Sequence, residues 1–210
     1  RQLISVSSFK PTNIPIWKRI QDRIGVKVSN KGAKLIDDSG LPIPGAELRQ
    51  GVAGNPDLKW FIDGGELGVK TIVSVLGKQG IEFGSKESVL DFGCGCGRVL
   101  RHLGQYETVH LHGTDISRPS IAWCDANLDF AMFGTNRLHP PTRYRSSSFD
   151  FIYAFSVFTH LTHELQTLWM AEMRRLLKPD GLLLITVHGD HYLNHLSESE
   201  KAAFYNGRLV

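Results

Sequence analysis

The pattern of apolar and polar positions changes character along the chain. Up to about residue 56 it is irregular, with Pro11, Pro15, Pro42, Pro44 and Pro56 scattered among glycines. Within that stretch Ile16, Trp17, Ile20 and Ile24 keep a helical spacing, which predicts one short helix over 14–24 in an otherwise irregular arm. Leu58, Phe61 and Ile62, then Leu67, Val69, Ile72, Val73 and Leu76, predict two short helices broken at Gly64 and Gly65. From residue 88 the pattern becomes strand, turn, helix, repeated. Strands are predicted over 88–92, 109–116, 130–133, 149–155 and 182–187. A helix begins at 98–104, and another runs over 119–128, capped by Ser117 with Pro119 in its first turn. Leu165, Leu168, Trp169, Met173, Leu176 and Leu177 mark the apolar face of a further helix, which Lys178-Pro-Asp-Gly181 stops. Strands alternating with helices of this length make an α/β chain, a doubly wound, mostly parallel sheet covered on both faces. The chain divides into an arm with pre-sheet helices, 1–87, and a sheet-forming core, 88–210.

Composition adds limits rather than direction. At 210 residues, 41% hydrophobic and 21% charged, the chain is an ordinary globular one. A net charge of +3 is too small to argue for nucleic acid by itself. No apolar run is long enough to span a membrane, and residues 1–10 lack the core of a signal peptide. The chain starts without Met, so it is expected to be trimmed or partial. Its 3 cysteines, Cys94, Cys96 and Cys124, exclude a disulfide framework and fit a reducing, cytoplasmic setting.

The informative segment is Val89-Leu-Asp-Phe-Gly-Cys-Gly-Cys-Gly-Arg98. A strand ends, glycines follow at alternate positions, and a ligand gains close access to the main chain. A dinucleotide fingerprint needs glycines at offsets 0, 2 and 5. Counting from Gly93 the last place holds Arg98, and from Gly95 it holds Leu100, so the fingerprint fails. Asp91 ahead of the first glycine suits a cationic, hydrogen-bond-donating ligand better than a pyrophosphate. Asp115, at the end of the next strand, is placed to accept both hydroxyls of a ribose. Cys94 and Cys96 have no second pair to complete a zinc site, and Cys124 reads as core.

With these residues in view, 88–189 resembles the class I S-adenosylmethionine-dependent methyltransferases, in the form that acts on small molecules or glycans. The segment around Gly93 is similar to their first motif, and His112-Gly-Thr-Asp-Ile-Ser117 to their second. Ser148-Phe-Asp-Phe-Ile-Tyr-Ala-Phe-Ser-Val-Phe-Thr-His-Leu161 resembles their fourth-strand motif. Leu176-Leu-Lys-Pro-Asp-Gly-Leu-Leu-Leu-Ile-Thr186 resembles the turn into their fifth strand. The resemblance implies a Rossmann-like fold with S-adenosylmethionine as cofactor and S-adenosylhomocysteine as product. It places Asp91, Gly93, Cys94 and Gly95 against the methionine part, and Gly97 at the start of the adjoining helix. It gives the ribose to Asp115 and the adenine to Ile116. Asn136 stands where the family often has Asp near the adenine amine, and an amide still accepts from that amine. Phe155 and Ser156 would line the site beneath the methyl group. The helices before the sheet would form a lid, with Arg49, Trp60 and Phe61 touching the cofactor or simply packing on the sheet.

The acceptor side is read from histidines, of which the chain has 9. His160 and His188 follow the fourth and fifth predicted strands, at the edge where the glycine loop lies. Either can serve as a base for a hydroxyl acceptor, or can be a structural or substrate-lining residue. His188, His191 and His195 with Asp190 have only a loose metal spacing that Gly189 interrupts, so no metal is expected. Arg137, Arg143 and Arg145 form a basic stretch that reads as a solvated loop or as a surface for an acidic acceptor. The expected activity is methyl transfer to a small molecule or glycan, at oxygen. The alternatives are a cofactor-binding module without chemistry and an enzyme acting on RNA or protein. DNA is disfavoured because Ala154-Phe-Ser-Val157 stands where adenine methylation calls for Asn/Asp-Pro-Pro-Tyr/Phe. The family's sheet continues with an antiparallel hairpin after the fifth strand, and the short stretch after Val187 predicts that these strands are missing.

Overall fold

A computed structural model describes residues 3–5, 35–187 and 190–206. The expected helix over 14–24 and the candidate base His188 lie outside the described residues. The order of apolar side chains in the strands builds the rest. In β2 (Ser88–Phe92), Val89 belongs to the core on one face of the sheet, while Leu90 and Phe92 belong to the other. In β5 (Phe149–Ala154), Phe151 and Tyr153 join Val89, and Ile152 and Ala154 join Leu90. Two apolar faces on each central strand require cover on both sides.

With β1 (Leu3–Ser5), β3 (His110–Asp115), β4 (Ala131–Thr135) and β6 (Leu177–Ile185), these strands form a 6-stranded sheet in the order β1-β6-β5-β2-β3-β4. Every strand pair in it is parallel. The Rossmann-like α/β expectation is met. β1 was not expected from the irregular arm, and it occupies the side of β6 that faces away from β5. After β6 the described residues hold a 3-10 turn, Asp190–His195, and α5 (Glu198–Tyr205), which Ser197 and Glu200 close with a capping box.

The chain runs from β2 outward through β3 to β4, then returns to the other side of β2 as β5. That reversal opens a crevice beyond the carboxyl ends of β2 and β5, the usual ligand position in open α/β sheets. α1 (Ala46–Ala53) and α2 (Leu58–Gly77) precede the sheet; α3 (Arg118–Asn127) follows β3, and α4 (His163–Leu176) follows β5. α2 sets Val69, Ile72, Val75 and Leu76 against Val89, Leu111 and Phe151. α4 sets Trp169, Met173 and Leu176 against Leu90, Ile152 and Leu183 on the opposite face.

Two helix expectations are corrected. The predicted break at Gly64 and Gly65 does not occur, because α2 runs unbroken from Leu58 to Gly77. These glycines are contact points. A Cβ on Gly65 would stand 2.1 Å from the Arg98 carbonyl oxygen and 2.6 Å from His102 Nε2. Close backbone approach after the glycine loop repays the lost helix propensity. The same contact alters the second element. Instead of an α-helix from residue 98, the chain makes tight turns and a 3-10 helix, Leu100–His102. With the Arg98 carbonyl pressed against α2, the His102 amide donates to Val99 instead.

Gly65→Ala is therefore expected to lower unfolding stability by about 1–3 kcal/mol despite alanine's better helix propensity. Gly77→Ala, at a position where a Cβ meets nothing within 4 Å, is expected to raise it by about 0.5 kcal/mol. Urea denaturation of both variants checks the pair.

Candidate functional site

The glycine loop leaves β2 with three backbones in the left-handed region: Gly93 at φ 83°, Gly95 at 56° and Gly97 at 76°. Side chains rarely adopt these angles, and the space around the loop is already taken. A Cβ on Gly93 would meet Val157 Cγ2 at 2.2 Å, and one on Gly95 would meet Val52 Cγ2 of α1 at 2.6 Å. Gly97 was expected to open a helix. It lies within a run of turns instead, where an added Cβ would meet Leu128 Cδ1 at 2.7 Å and Cys124 Sγ at 3.6 Å.

Asp91 and Asp115 stand on either side of this loop, 4% and 3% exposed. Their chemistry differs. Each Asp115 oxygen accepts one backbone N–H, Oδ2 from Gly95 at 2.9 Å and Oδ1 from Ser117 at 2.7 Å. This fixes the carboxylate and leaves a lone pair on each oxygen for a diol. Asp91 is paired in register with Tyr153 across β2 and β5. Burial pushes its carboxyl up to about 7, although the Tyr153 hydroxyl and the Arg98 charge both favour the ionised form. The nearby Asp115 charge adds to the rise. The Tyr153 hydroxyl interacts with Asp91 without meeting ideal hydrogen-bond geometry. Arg98 is buried too, and its guanidinium stands over the Trp60 ring at 5.1 Å.

The remaining expected residues are placed as follows. Cys94 is buried, its thiol raised by burial and by Asp91, and its Sγ lies 3.6 Å from the Gly95 carbonyl oxygen. Cys124 Sγ contacts the same oxygen at 3.6 Å, and burial pushes the Cys96 thiol up to about 12. Ile116 is half-buried just beyond β3. Asn136 follows β4; its Oδ1 accepts from Thr114 Oγ1 at 3.1 Å and its Nδ2 donates to the Arg137 carbonyl at 2.9 Å. Phe155 and Ser156 are half-buried at the end of β5, and His160 ends the 3-10 turn Phe158–His160 that follows. Among the described residues, no group of three or more His, Cys, Asp or Glu is placed to hold a metal.

The segment before the sheet is held by two arginines, Arg49 within it and Arg101 from the turns after the glycine loop. Arg49 donates to the carbonyls of Pro44 and Pro56, the residues flanking α1 on either side. Arg101 forms a buried ion pair with Asp37 at 2.7 Å and donates to the Leu41 and Pro42 carbonyls. Phe61 is fully buried beneath the Arg101 guanidinium. The sequence reading missed Arg98, Tyr153, Val52 and Val157. Only Tyr153 had a usable signal: a polar-tipped residue in a buried strand, on the same alternating face as Asp91. Arg137, Arg143 and Arg145 are exposed, and the loop that carries them is tied to α4 where Thr142 donates to Glu172 and Trp169 donates to the Leu138 carbonyl.

A left-handed glycine loop between two buried acids, at the switch point of a parallel sheet, defines a nucleoside-cofactor domain of the α/β type. Residues 69–207 match the family described as "Methyltransferase domain", and the chain belongs to that family. Among solved structures, it is similar to a TehB-like SAM-dependent methyltransferase from Corynebacterium glutamicum: 21% identity, 59% of this chain and 72% of that one, TM-score 0.44. It is also similar to the PH0226 protein of Pyrococcus horikoshii OT3: 20% identity, 62% and 65% coverage, TM-score 0.48. A third likeness is PKMT2 from Rickettsia typhi in complex with AdoHcy: 24% identity, 47% of this chain but only 20% of that one, TM-score 0.41. The cofactor of the family is S-adenosylmethionine. The residues fit it. The buried Asp91 carboxyl, raised by desolvation, suits a cationic amino-acid end, while each Asp115 oxygen accepts one backbone N–H and can accept again from a ribose. Among the described residues, no helix is long and apolar enough to cross a membrane.

The Asp91 environment makes a signed prediction. Unfolded, the acid titrates near its ordinary 3.8; folded, near 7. Between these values only the unfolded chain releases the proton, so Asp91 destabilises the fold increasingly as pH rises through that window, and fully above it. The stability of wild type minus that of Asp91→Asn should fall by about 1.4 kcal/mol per pH unit between pH 5 and 7. Urea denaturation across that range measures it, and a flat difference contradicts the assignment.

Proposed function

We propose that this chain transfers a methyl group from S-adenosylmethionine to a hydroxyl of a small molecule or glycan. The observation that carries the reading is the pair of buried acids, Asp91 and Asp115, closing on three left-handed glycines at the ends of neighbouring strands. When bound, the cofactor supplies an electrophilic methyl on a sulfonium sulfur. Asp91 holds the cationic amino-acid end and becomes fully ionised as it does so. Asp115 takes the ribose hydroxyls, and Ile116 and Asn136 line the adenine side. Phe155 and Ser156 form the floor at the end of β5, next to the turn that carries His160.

Displacement at a methyl carbon needs the acceptor oxygen in line with the leaving sulfur, so alignment supplies much of the rate. As the new C–O bond forms, the hydroxyl proton must leave. His160 is the described imidazole nearest in sequence to the floor residues and takes this role in the proposal. His188 is the second candidate.

Isothermal titration with S-adenosylmethionine and with NAD tests the cofactor side. Binding of the first and not the second is expected, and the reverse overturns the reading. Asp115→Ala is expected to weaken binding at least tenfold, since a buried acceptor of two ribose hydroxyls is lost. S-adenosylhomocysteine release across a panel of sugars, phenols, RNA and peptides tests the acceptor side. Release with hydroxylated small molecules or glycans supports the proposal, and release only with RNA or peptide replaces it. Binding without release on any acceptor points to a module that holds the cofactor without chemistry. His160→Ala is expected to cut turnover 100-fold or more, following the usual scale of general-base catalysis.

A further inference from the structure

The end of β5 departs from the sheet in an unusual way. Ser156 has φ 56°, a left-handed backbone at a residue that is not glycine. Such a conformation costs about 1–2 kcal/mol and persists only where neighbours enforce it. The neighbour here is Thr186, the residue after β6. The Thr186 amide donates to the Ala154 carbonyl at 3.2 Å, continuing the parallel ladder. In a regular ladder the Ser156 N–H would then donate to the Thr186 carbonyl. Instead it donates to the Thr186 side-chain Oγ1, at 2.7 Å. One hydroxyl replaces one carbonyl, and the chain turns out of the sheet with its amide satisfied.

Two features follow from that turn. Val157 is delivered onto the glycine loop, where its Cγ2 leaves no room for any side chain on Gly93. The Val157 carbonyl then accepts from the His160 amide at 2.9 Å, starting the 3-10 turn that carries the candidate base. The cofactor loop and the acceptor side are thus both set from one point on a neighbouring strand.

We infer that Thr186 is a positioning residue of the methyl-transfer site, acting through Ser156 on Val157, Gly93 and His160. This rests on the reading of the site given above, and it goes beyond it by assigning work to a residue outside the glycine loop and the strand-end acids. A valine at 186 keeps the shape but has no acceptor. The Ser156 N–H is then either bare or drawn back into the ladder, and Val157 leaves Gly93. A serine at 186 keeps the acceptor.

The test is isothermal titration of S-adenosylmethionine into wild type, Thr186→Val, Thr186→Ser and the double variant Ser156→Gly/Thr186→Val, with thermal unfolding of each. Thr186→Val is expected to bind about tenfold more weakly, the effect of one unmet N–H at a half-buried position. Thr186→Ser is expected to stay within about twofold of wild type on the same scale. Glycine at 156 removes the left-handed penalty, so the double variant is expected to recover part of the affinity and to be the better folded of the two valine proteins. A merely structural threonine would lower the melting temperature and leave affinity alone. Thr186→Val binding like wild type, or Thr186→Ser binding as weakly as Thr186→Val, overturns the inference while wild-type binding leaves the functional reading standing. A wild-type chain that does not bind the cofactor overturns both.

Discussion

Asp91, the next-to-last residue of the central strand, has its carboxyl out of water, and the surroundings of the crevice are organised around that fact. β2 must be apolar on both faces to lie between β3 and β5, so anything at its carboxyl end is buried by its neighbours. An acid placed there is held near neutrality in charge, with a pKa of about 7, unless a cation arrives. Tyr153 meets it because the parallel register sets the two residues side by side on the same face. Arg98, itself buried, lies close enough to favour ionisation, yet desolvation outweighs it and the Asp91 carboxyl stays raised. A cationic ligand arriving there would draw the carboxyl toward its ionised form.

The second constraint is space. Around the glycine loop the chain comes so close to itself that side chains are excluded at successive points: Val157 lies on Gly93, Val52 on Gly95, and Leu128 on Gly97. The glycines therefore act twice. They supply left-handed angles within the loop, and in α2 they let a helix lie against the turns that follow. The segment before the sheet is secured to the same region by the buried Arg101–Asp37 pair, while Arg49 ties together the two ends of α1. An ion pair this deeply buried gives register more than stability, because desolvation offsets most of the attraction.

How much of this was legible follows from the physics of each element. The strands were legible because two-sided burial writes continuous apolar runs, as in Leu182-Leu-Leu-Ile185, and because the order of acids and glycines at strand ends is local. α3 was legible through its cap: the Ser117 hydroxyl accepts from Ser120 as expected. α2 was misread because glycine was taken as a breaker, when Gly65 answers to the carbonyl of Arg98, far along the chain. The helix after the loop failed for the same reason, seen from the other side. α1 was missed because Gly45, Gly51 and Gly54 hide eight helical residues whose order depends on Arg49 and on packing against the loop. In the site, Asp91 and Asp115 could be named from spacing. The link from Thr186 to Ser156 could not, because it depends on which oxygen of one residue closes the last rung.

The claim that carries the account is that a buried, largely protonated Asp91 ionises to receive a cationic cofactor. Calorimetric titration of S-adenosylmethionine at pH 6.5, in buffers of different ionisation enthalpy, reads the protons exchanged on binding. The account predicts net release of about three-quarters of a proton, the share Asp91 holds at that pH, and its loss in Asp91→Asn. Binding of equal strength with no proton exchanged in wild type, or with the same release in both proteins, would contradict it.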